Sequence, residues 1–404
     1  MFNTNKKTAK LYAEIIQQLY YGEQLSSAEL SLLIDKSIPL VTKAVTQLIE
    51  AGFVIEQGYA PSSGGRRPLT YAVVHDRLYI VTVAMDQLFT RIGIIDLLNK
   101  FVSPVEVISL KLKDNPEAID TLSSFIATHI TQSGIDKEKI IGVGIGMPGF
   151  VNVNEGINYT YLDAGDKSLT RYISDVVGIP IYIDNDSSLI ALSELKFGIA
   201  KSIKDVMVIN LGWGIGLGMI INGQIFRGEN GFAGEFSHIP ISEDGVLCSC
   251  GKQGCLEAEA SLLAVAQQAV EGIKAGQTSS LQQYISDDDS NLAVDSALMD
   301  AANKGDQYAV ELLSVAAYKI GRALSILIHI LNPKAIVLSG RGVKVGKLML
   351  APIQQALNKH CIPRLAEGTE LFISEIGFDA ELIGAAILVM EKFSEEQEVT
   401  AATI

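Results

Sequence analysis

Residues 205–222 read DVMVINLGWGIGLGMIIN, a run of apolar residues, a glycine-rich turn and a second apolar run. Residues 79–96, YIVTVAMDQLFTRIGIID, repeat the pattern with a turn that begins at Asp86. Short runs rich in β-branched residues, joined by such a turn, predict β-hairpins. Each hairpin is followed by helical stretches that alternate with buried strands such as IIGVGIG, IPIYIDND and AIVLSG. The sequence therefore predicts two related α/β halves.

Two halves of this kind predict a two-lobed, actin/hexokinase-like fold, a duplicated ribonuclease H-like unit whose lobes close on a ligand in the cleft. We expect an N-terminal domain, a first lobe and a second lobe at residues 1–75, 76–195 and 196–379. A C-terminal helix at about residues 380–393 is expected to complete the first lobe. The second lobe is expected to carry a metal loop and the surface through which two chains pair.

The composition is that of a folded protein with more than one domain. The chain has 404 residues, of which 48% are hydrophobic, and this is enough for two or three cores. Charged residues make up 19%, which excludes wholesale disorder. No apolar run approaches the roughly 20 residues of a membrane span, and the N-terminal MFNTNKKTAK lacks the apolar core of a signal peptide. Four cysteines, three of them clustered, fit a reducing cytoplasm.

Charge is distributed unevenly along the chain. The whole chain carries a formal net charge of −14, which taken alone argues against nucleic acid as a partner. Residues 1–75, however, contain seven Lys or Arg and six Asp or Glu, so their net charge is +1. The first segment is therefore a separate electrostatic unit.

Residues 1–75 carry the signals of three helices and a β-hairpin. The first helix is predicted at Thr8–Tyr20, Ser27 is predicted to cap the second, and Ser37 the third. Pro39 lies in the first turn of the third helix, where a missing N–H costs nothing. An apolar stripe at helical spacing follows, formed by Val41, Ala44, Val45, Leu48 and Ile49. FVIEQ and LTYAVV then flank a glycine-rich tip and predict the hairpin.

A helix–turn–helix followed by a basic hairpin is the plan of a winged helix, whose third helix enters the major groove of DNA. The face opposite the apolar stripe holds Thr42, Lys43 and Gln47, side chains that hydrogen-bond bases or phosphates. Arg66 and Arg67 lie on the tip and suit a phosphate path or a minor groove. We predict that these five residues contact DNA. The alternative is a three-helix protein-interaction module whose charges are merely solvated.

Residues 238–257 read HIPISEDGVLCSCGKQGCLE and predict a metal site. Three thiolates, from Cys248, Cys250 and Cys255, plus the imidazole of His238 complete the tetrahedron that Zn²⁺ prefers, with no open position. A closed site is structural, so we predict one zinc ion per chain that ties the loop together. Free thiols or a disulfide are the alternatives.

Four stretches together resemble the ROK family of repressors, open reading frames and sugar kinases. They are GMPGFVN (146–152), IDNDSSLIALSE (183–194), INLGWGIGLGMIINGQIFRGENGFAGEFSH (209–238) and CSCGKQGCLEAEAS (248–261). The resemblance spans nearly the whole chain. ROK members with an N-terminal winged helix that ends in a GGRRP-like wing are sugar-responsive transcriptional repressors, and this chain is similar to them throughout.

The resemblance implies a sugar site. It places Asn185 and Asp186 at the end of a core strand, in contact with sugar hydroxyls, and Glu235, His238 and Glu257 at the other edge of the sugar. His238 would bind zinc through one ring nitrogen and the sugar through the other, so the metal would fix the orientation of the imidazole. The alternative for Asp186 is an N-cap of the helix that follows it.

The resemblance also bears on whether the chain is a sugar kinase or has no enzyme activity. In the kinases of the family Asp186 would be the general base that activates a sugar hydroxyl toward ATP. Their first hairpin turn has the pattern D-x-G-x-T, and Leu88 stands here in place of the glycine. Their second turn reads L-G-T-G-I-G, and Trp213 stands here in place of the threonine. We therefore expect no enzyme activity; the alternative is an active ATP-dependent sugar kinase that carries a DNA-binding arm.

The expected function is a sugar-responsive repressor that binds operator DNA and releases it when a monosaccharide or sugar phosphate binds. No cofactor beyond zinc follows from the sequence. Winged helices usually contact two half-sites, so a homodimer or a dimer of dimers is expected, with no membrane partner.

Overall fold

The computed structural model describes residues 2, 4–60, 67–285 and 292–399. The chain divides into two compact units. The first contains Met1–Asn185 and Leu382–Ile404, and the second contains Asp186–Glu381. The first unit thus includes the N-terminal segment as well as most of the first predicted lobe. The division falls after Asn185, ten residues before the predicted boundary at 195.

The N-terminal segment folds as three helices and a small antiparallel sheet. Its elements are α1 (Lys6–Gly22), β1 (Leu25–Ser26), α2 (Ser27–Leu33), α3 (Ile38–Glu50), β2 (Val54–Tyr59) and β3 (Leu69–Val73). The strand order is β1-β3-β2. Val41, Ala44, Val45 and Leu48 form the buried face of α3. The predicted helices and hairpin are therefore present, and their order along the chain is the predicted one.

The cap of α2 corrects one prediction. Its N-cap residue is Ser26 and not Ser27. The Ser26 hydroxyl accepts the Glu29 N–H, and the Glu29 carboxylate accepts the Ser26 N–H at 2.8 Å. This reciprocal capping box needs an acidic residue three positions after the cap, and Glu29 stands at that distance from Ser26.

The central sheet of the first unit has five strands. They are β4 (Tyr79–Met85), β5 (Phe89–Asp96), β6 (Glu106–Ser109), β7 (Ile140–Met147) and β10 (Ile181–Asn185). The order is β10-β7-β4-β5-β6, with β4, β5 and β6 antiparallel and with β7 and β10 added in parallel beside β4. Two helices, α4 (Ala118–Ser133) and α5 (Leu169–Val177), pack on the sheet. A short two-stranded ribbon, β8 (Val151–Asn152) and β9 (Ile157–Asn158), follows β7.

The second unit repeats this topology. It contains α6 (Asp186–Phe197), β11 (Val206–Leu211), β12 (Ile215–Ile221), β13 (Gln224–Phe226), β14 (Ala335–Ser339) and β15 (Glu370–Ile373). The order is β13-β12-β11-β14-β15, again an antiparallel meander of three strands extended by two parallel strands beside the first. The predicted duplication is therefore confirmed strand by strand.

Helix α6 explains why the division lies after Asn185. It packs against β11 and β12 of the second unit. A Cβ atom on Gly218 of β12 would lie 2.4 Å from both the Ala191 Cβ and the Ser187 carbonyl oxygen, so the helix sits directly on the strand. Sequence periodicity marks a helix but not the sheet that it covers, and the predicted boundary therefore fell at the end of α6.

The remaining helices complete the second unit. They are α7 (Leu256–Ala260), α8 (Leu262–Lys274), α9 (Leu292–Asn303), α10 (Gln307–Leu331), α11 (Gly346–His360) and α12 (Pro363–Ala366). Among the described residues, α10 has the length and apolar composition of a membrane span. Its residues Leu313, Ile320, Leu324 and Ile328 are buried in the core of the unit, however, and it packs against α11. α10 is therefore a core helix.

The N-terminal segment is attached to the last helix of the chain, α13 (Ala380–Val399). The Gln17 side-chain amide on α1 donates to the Met390 carbonyl oxygen at 2.8 Å. The Tyr20 hydroxyl donates to the Asn99 side chain in the connection after β5. Phe2 and Phe393 have ring centroids 6.3 Å apart. These contacts join the two ends of the chain within the first unit.

Candidate functional site

The predicted metal ligands lie together in the second unit. One ligand atom from each of His238, Cys248, Cys250 and Cys255 lies within 4.8 Å of the others. The Cys250 and Cys255 sulfurs are 3.6 Å apart, and the Cys248 sulfur is 3.6 Å from His238 Nδ1. A tetrahedral zinc with Zn–S bonds of about 2.3 Å and Zn–N bonds of about 2.1 Å sets these separations at about 3.8 and 3.6 Å. The residues therefore fit a closed Cys₃His zinc site, and a disulfide would need a sulfur separation near 2 Å.

The backbone of the loop brings the ligands together. The Cys248 N–H donates to Lys252 at 2.8 Å, the Gly254 N–H donates to Val246, and the Ile241 N–H donates to the Gly254 carbonyl oxygen. Gly254 has a φ of +74°, and a Cβ atom there would lie 1.8 Å from the Ser242 carbonyl oxygen. Only glycine fits this position without a shift of the backbone.

Glu259 fastens the same loop to the body of the unit. One carboxylate oxygen accepts the Val246 N–H at 2.9 Å, and the other lies 2.7 Å from the Lys319 ammonium of α10. Burial acts to raise the pKa of Glu259, but the bonds from Lys319 and Val246 outweigh it and lower that pKa. The loop is thus held to the core helix by an ionised carboxylate.

His238 connects the metal cluster to the candidate sugar residues. Its Nδ1 faces Cys248, and its Nε2 lies 3.8 Å from a Glu235 carboxylate oxygen. Burial raises the pKa of Glu235, and His238 opposes that rise. One nitrogen therefore points to the metal ligands and the other to a carboxylate, and the sugar contact implied by the resemblance stays a prediction.

Glu257 lies close to the same imidazole and is more deeply buried. One carboxylate oxygen accepts the Ile215 N–H of β12 at 2.8 Å. Burial raises the pKa of Glu257, Glu235 raises it further, and Ile215 and His238 oppose the rise. A Cβ atom on Gly214 would lie 2.9 Å from the Glu257 carboxylate, so this glycine makes room for the acid. Glu235, His238 and Glu257 are therefore one electrostatically coupled group.

Asn185 and Asp186 lie where β10 ends and α6 begins. Asn185 donates from its amide to the Gly149 carbonyl oxygen at 3.3 Å. One oxygen of Asp186 accepts the Ser187 N–H at 2.7 Å, and the other accepts from the Asn210 side chain at 3.2 Å. Asp186 is the first residue of α6 and not the residue before it. Its carboxylate thus bonds both to the first turn of the helix and to β11.

Four backbone N–H groups in the two hairpin turns donate hydrogen bonds to acceptors within the protein. In the first turn, the Asp86 carboxylate accepts the N–H groups of Leu88 and Phe89 at 2.8 and 2.7 Å. In the second turn, the Gly212 N–H donates to Gly214 at 2.9 Å, and the next strand begins with the Ile215 N–H bound to Glu257. Backbone N–H groups that cradle a phosphate must face the ligand, whereas these four have internal acceptors.

Trp213 and Arg341 occupy the second turn and its surroundings. The Trp213 side chain is 5% exposed, and the Arg341 guanidinium carbon lies 5.0 Å from the centre of the indole. The same carbon lies 5.2 Å from the Phe378 ring centre. These are cation–π contacts, and they fix the arginine between two aromatic rings.

The structure describes four of the five predicted DNA-contact residues, all in the N-terminal segment. Thr42 and Lys43 are exposed on α3, and Arg67 is exposed before β3. Gln47 is also exposed, but its side-chain amide oxygen accepts a hydrogen bond from the Tyr12 hydroxyl of α1 at 2.8 Å. Arg66 lies outside the described residues. Part of the Gln47 amide is therefore committed to the packing of α1 against α3.

Three residues of these sites escaped the sequence analysis. Asn210 and Arg341 stand at or just after the carboxyl ends of the parallel strands β11 and β14, where ligands bind in α/β sheets, and that position was the available signal. Glu259 offered no such signal. Its partner Lys319 lies 60 residues away in the sequence.

Comparison with known proteins adds relatives of two kinds. A xylose repressor from Caldicellulosiruptor bescii is 27% identical over 386 residues, which cover 93% of this chain and 94% of that protein. A glucokinase from Halalkalibacterium halodurans is 36% identical over 259 residues, which cover 63% of this chain and 78% of that enzyme. The match to the repressor covers nearly the whole chain, whereas the match to the glucokinase covers about two thirds of it.

The fold agrees with a solved structure. A ROK family transcriptional regulator, a homologue of the Escherichia coli MLC protein, superposes with a TM-score of 0.74 and 22% identity, covering 98% of this chain and 99% of the other. The sequence profile described as "ROK family" matches residues 94–392. This range begins in β5 and ends in α13, so it contains most of both units, including the metal cluster and the candidate sugar residues. The chain belongs to the ROK family.

Proposed function

We propose that the protein is a sugar-responsive transcriptional repressor. Residues 1–75 form a winged helix that binds operator DNA. A monosaccharide or sugar phosphate is bound by Asn185, Asp186, Glu235, His238 and Glu257. The observation that carries the proposal is the contrast between these side chains, which match the pattern for sugar hydroxyls, and two hairpin turns in which the N–H groups of Leu88, Phe89, Gly212 and Ile215 have acceptors inside the protein.

The carboxylates support sugar recognition. Vicinal hydroxyls are held by groups that accept or donate in pairs, and carboxylates and amides do so. Glu235 and Glu257 both interact with the His238 imidazole; Glu257 is largely buried, whereas the Glu235 side chain is 45% exposed. Hydrogen bonds to charged acceptors are worth about 1.5–3 kcal/mol each when they are buried, so a few of them suffice for sugar affinity.

His238 would transmit the effect of zinc to this group. With Nδ1 bound to the metal, the imidazole would have a fixed tautomer and orientation, and its Nε2–H would then be a donor on the side of Glu235. When bound, zinc supplies structural cross-linking of the loop and no chemistry on the sugar. Loss of the metal would therefore weaken sugar binding without contact between the two.

DNA binding is supported by the N-terminal segment and by the relatives. α3 buries one apolar face and exposes Thr42 and Lys43 on the other, in the manner of a recognition helix. The relative that matches along nearly the whole chain is a xylose repressor. A protein of this kind acts on DNA in the cytoplasm, and two half-sites call for a homodimer or a dimer of dimers.

The second candidate is an active sugar kinase with a DNA-binding arm. It is favoured by the 36% identity to a glucokinase and by Asp186, which lies where a general base is expected. Leu88 and the Trp213–Arg341 pair argue against it, because side chains stand where the family's phosphate turns carry small residues. We therefore propose that the sugar is a signal and not a substrate.

The test measures whether sugar binding and DNA binding weaken each other. Monosaccharides and their 6-phosphates are screened by thermal shift with the full chain, because a ligand that binds only the folded state raises Tm. A duplex is then selected from a randomised pool, and the stabilising sugar is titrated into the complex. We expect the sugar to weaken DNA binding about 5- to 150-fold, and DNA to weaken sugar binding by the same factor. A sugar that binds without changing DNA affinity would contradict the proposal, as would failure to enrich any duplex.

A further inference from the structure

The first turn of α3 exposes apolar side chains. Ile38 is 50% exposed and Leu40 is 44% exposed. The apolar face that holds α3 in its domain consists of Val41, Ala44, Val45 and Leu48, all buried. Leu40 therefore contributes little to that core, and its exposure needs another reason.

Leu40 lies on the face of α3 that carries the predicted DNA contacts. Residues three and seven positions further along a helix share its face, and these are Lys43 and Gln47. The Tyr12 hydroxyl fixes the position of Gln47 one turn beyond Lys43. The leucine is thus at the N-terminal end of a defined stripe on the face opposite the core.

The first turn has little capacity for hydrogen bonding to bases. Pro39 has no N–H, and the side chains of Ile38, Pro39 and Leu40 contain no polar atom. Ile38, Pro39 and Leu40 instead present a continuous apolar surface. Recognition helices contact base edges with their N-terminal residues, so this surface is the part of α3 that meets the bases.

The charged residues around Ile38, Pro39 and Leu40 favour a polyanion as the partner of this surface over an apolar protein surface. Lys36 is exposed just before α3, and Lys43 is exposed one turn after the patch. Asp35 is the acidic residue of the same turn. The N-terminus of α3 adds the partial positive charge of the helix dipole. A leucine flanked by lysines matches a groove lined by phosphates whose floor carries apolar groups.

We infer that Leu40 reads thymine: its side chain contacts the C5-methyl group of a thymine in the major groove. The thymine methyl is the apolar group that base pairs present in that groove, and apolar side chains recognise it by contact. This inference rests on the proposed DNA binding. It adds a specificity-determining residue to the polar contacts of Thr42 and Lys43, and it predicts a thymine in the operator at the position that Leu40 contacts.

Replacement of thymine by deoxyuridine tests the contact, because it removes the methyl group and keeps the hydrogen-bonding edge. The full-chain protein is used to select a duplex from a randomised pool, and each thymine is then replaced singly. For the unaltered protein we expect about a fourfold loss of affinity at the contacted position, the equivalent of one buried methyl group. For Leu40→Ala we expect the thymine and deoxyuridine duplexes to bind equally.

Leu32→Ala provides the matched control. Leu32 is 83% exposed on α2, so the substitution removes the same atoms from a neighbouring exposed position. This variant should keep the fourfold discrimination at the same thymine. The inference is overturned if the unaltered protein binds every deoxyuridine duplex as tightly as the parent, or if Leu40→Ala still discriminates. If no duplex is enriched at all, DNA binding itself is refuted, which is a different failure.

Discussion

The guanidinium of Arg341 lies over the indole of Trp213, 5.0 Å from the ring centre to the guanidinium carbon. The two residues are far apart in sequence: one is in the turn before β12 and the other follows β14. The family pattern has a threonine at the tryptophan position, and a small hydroxyl there leaves the turn open. The pair replaces that open turn with a packed, cationic stack, which Phe378 closes on its other side.

The first prediction follows from this stack. We expect no ATP-dependent phosphorylation of hexoses, pentoses or amino sugars by the purified protein, because Leu88 and Trp213 stand in the positions of the phosphate turns. A coupled ADP-release assay would measure this, with the Halalkalibacterium halodurans glucokinase as the positive control. Turnover that is lost in Asp186→Ala would contradict the prediction and favour the kinase.

The second prediction concerns the metal. The purified protein should contain about one zinc per chain, and Cys250→Ser should lose most of it, because three ligands hold zinc more weakly than four. The same variant should bind sugar less tightly, since His238 loses its anchor. Cys361→Ser is the matched control, because Cys361 lies outside the cluster of four ligands. Metal analysis by mass spectrometry checks the content, and full occupancy in Cys250→Ser would exclude Cys250 as a ligand.

The third prediction concerns Glu257. Glu257→Ala should leave DNA binding intact and weaken sugar binding about 10- to 150-fold, the cost of about 1.5–3 kcal/mol for a lost charge-assisted hydrogen bond. The variant should remain on DNA at sugar concentrations that release the unaltered protein. Glu259→Ala serves for comparison: it loosens the metal loop, so its zinc content should fall, whereas that of Glu257→Ala should not. Unchanged sugar affinity in calorimetry would remove Glu257 from the site.

The fourth prediction is the pH dependence of sugar binding. Burial raises the pKa of Glu257 and that of Glu235, so both carboxylates take up protons at a higher pH than an ordinary glutamate. Protonation removes acceptor capacity, and sugar affinity should therefore fall on acidification before ordinary glutamates titrate. Calorimetric titrations across this range check the effect, and Glu257→Gln should flatten part of the profile. A sugar affinity that rises on acidification would contradict the assigned roles.

The fifth prediction concerns stability. Asp306 caps α10 and accepts hydrogen bonds from Ala309, Ser279 and Ser280. Partial burial acts to raise the pKa of Asp306, but these bonds lower it to about 2. A lowered carboxyl pKa stabilises the fold above the ordinary value near 4, and this contribution is lost as pH falls toward about 2. Asp306→Ala should cost about 1 kcal/mol near neutral pH in denaturant unfolding. Asp306→Asn should keep the cap but lose the pH dependence.

Local patterns predicted much of this structure. The two hairpins, the helices of the first segment and the metal cluster are each encoded within about 20 neighbouring residues, where periodicity and ligand spacing are visible. The position of α6 was not predictable in the same way, because its partners β11 and β12 follow it in the chain and are identified only by packing. The bond from Tyr12 to Gln47 and the stack of Arg341 on Trp213 are also non-local. Residue types suggest such contacts, but only the folded topology pairs them.

The bond between Gln17 and Met390 spans 373 positions of the chain. During synthesis α1 leaves the ribosome long before α13, the helix that it contacts, is made. Domains usually fold as they emerge, but a contact of this span cannot form until α13 has emerged. The N-terminal segment therefore reaches its final position only after α13 has been made. A chain terminated before α13 would carry the N-terminal segment without this hydrogen bond to support it.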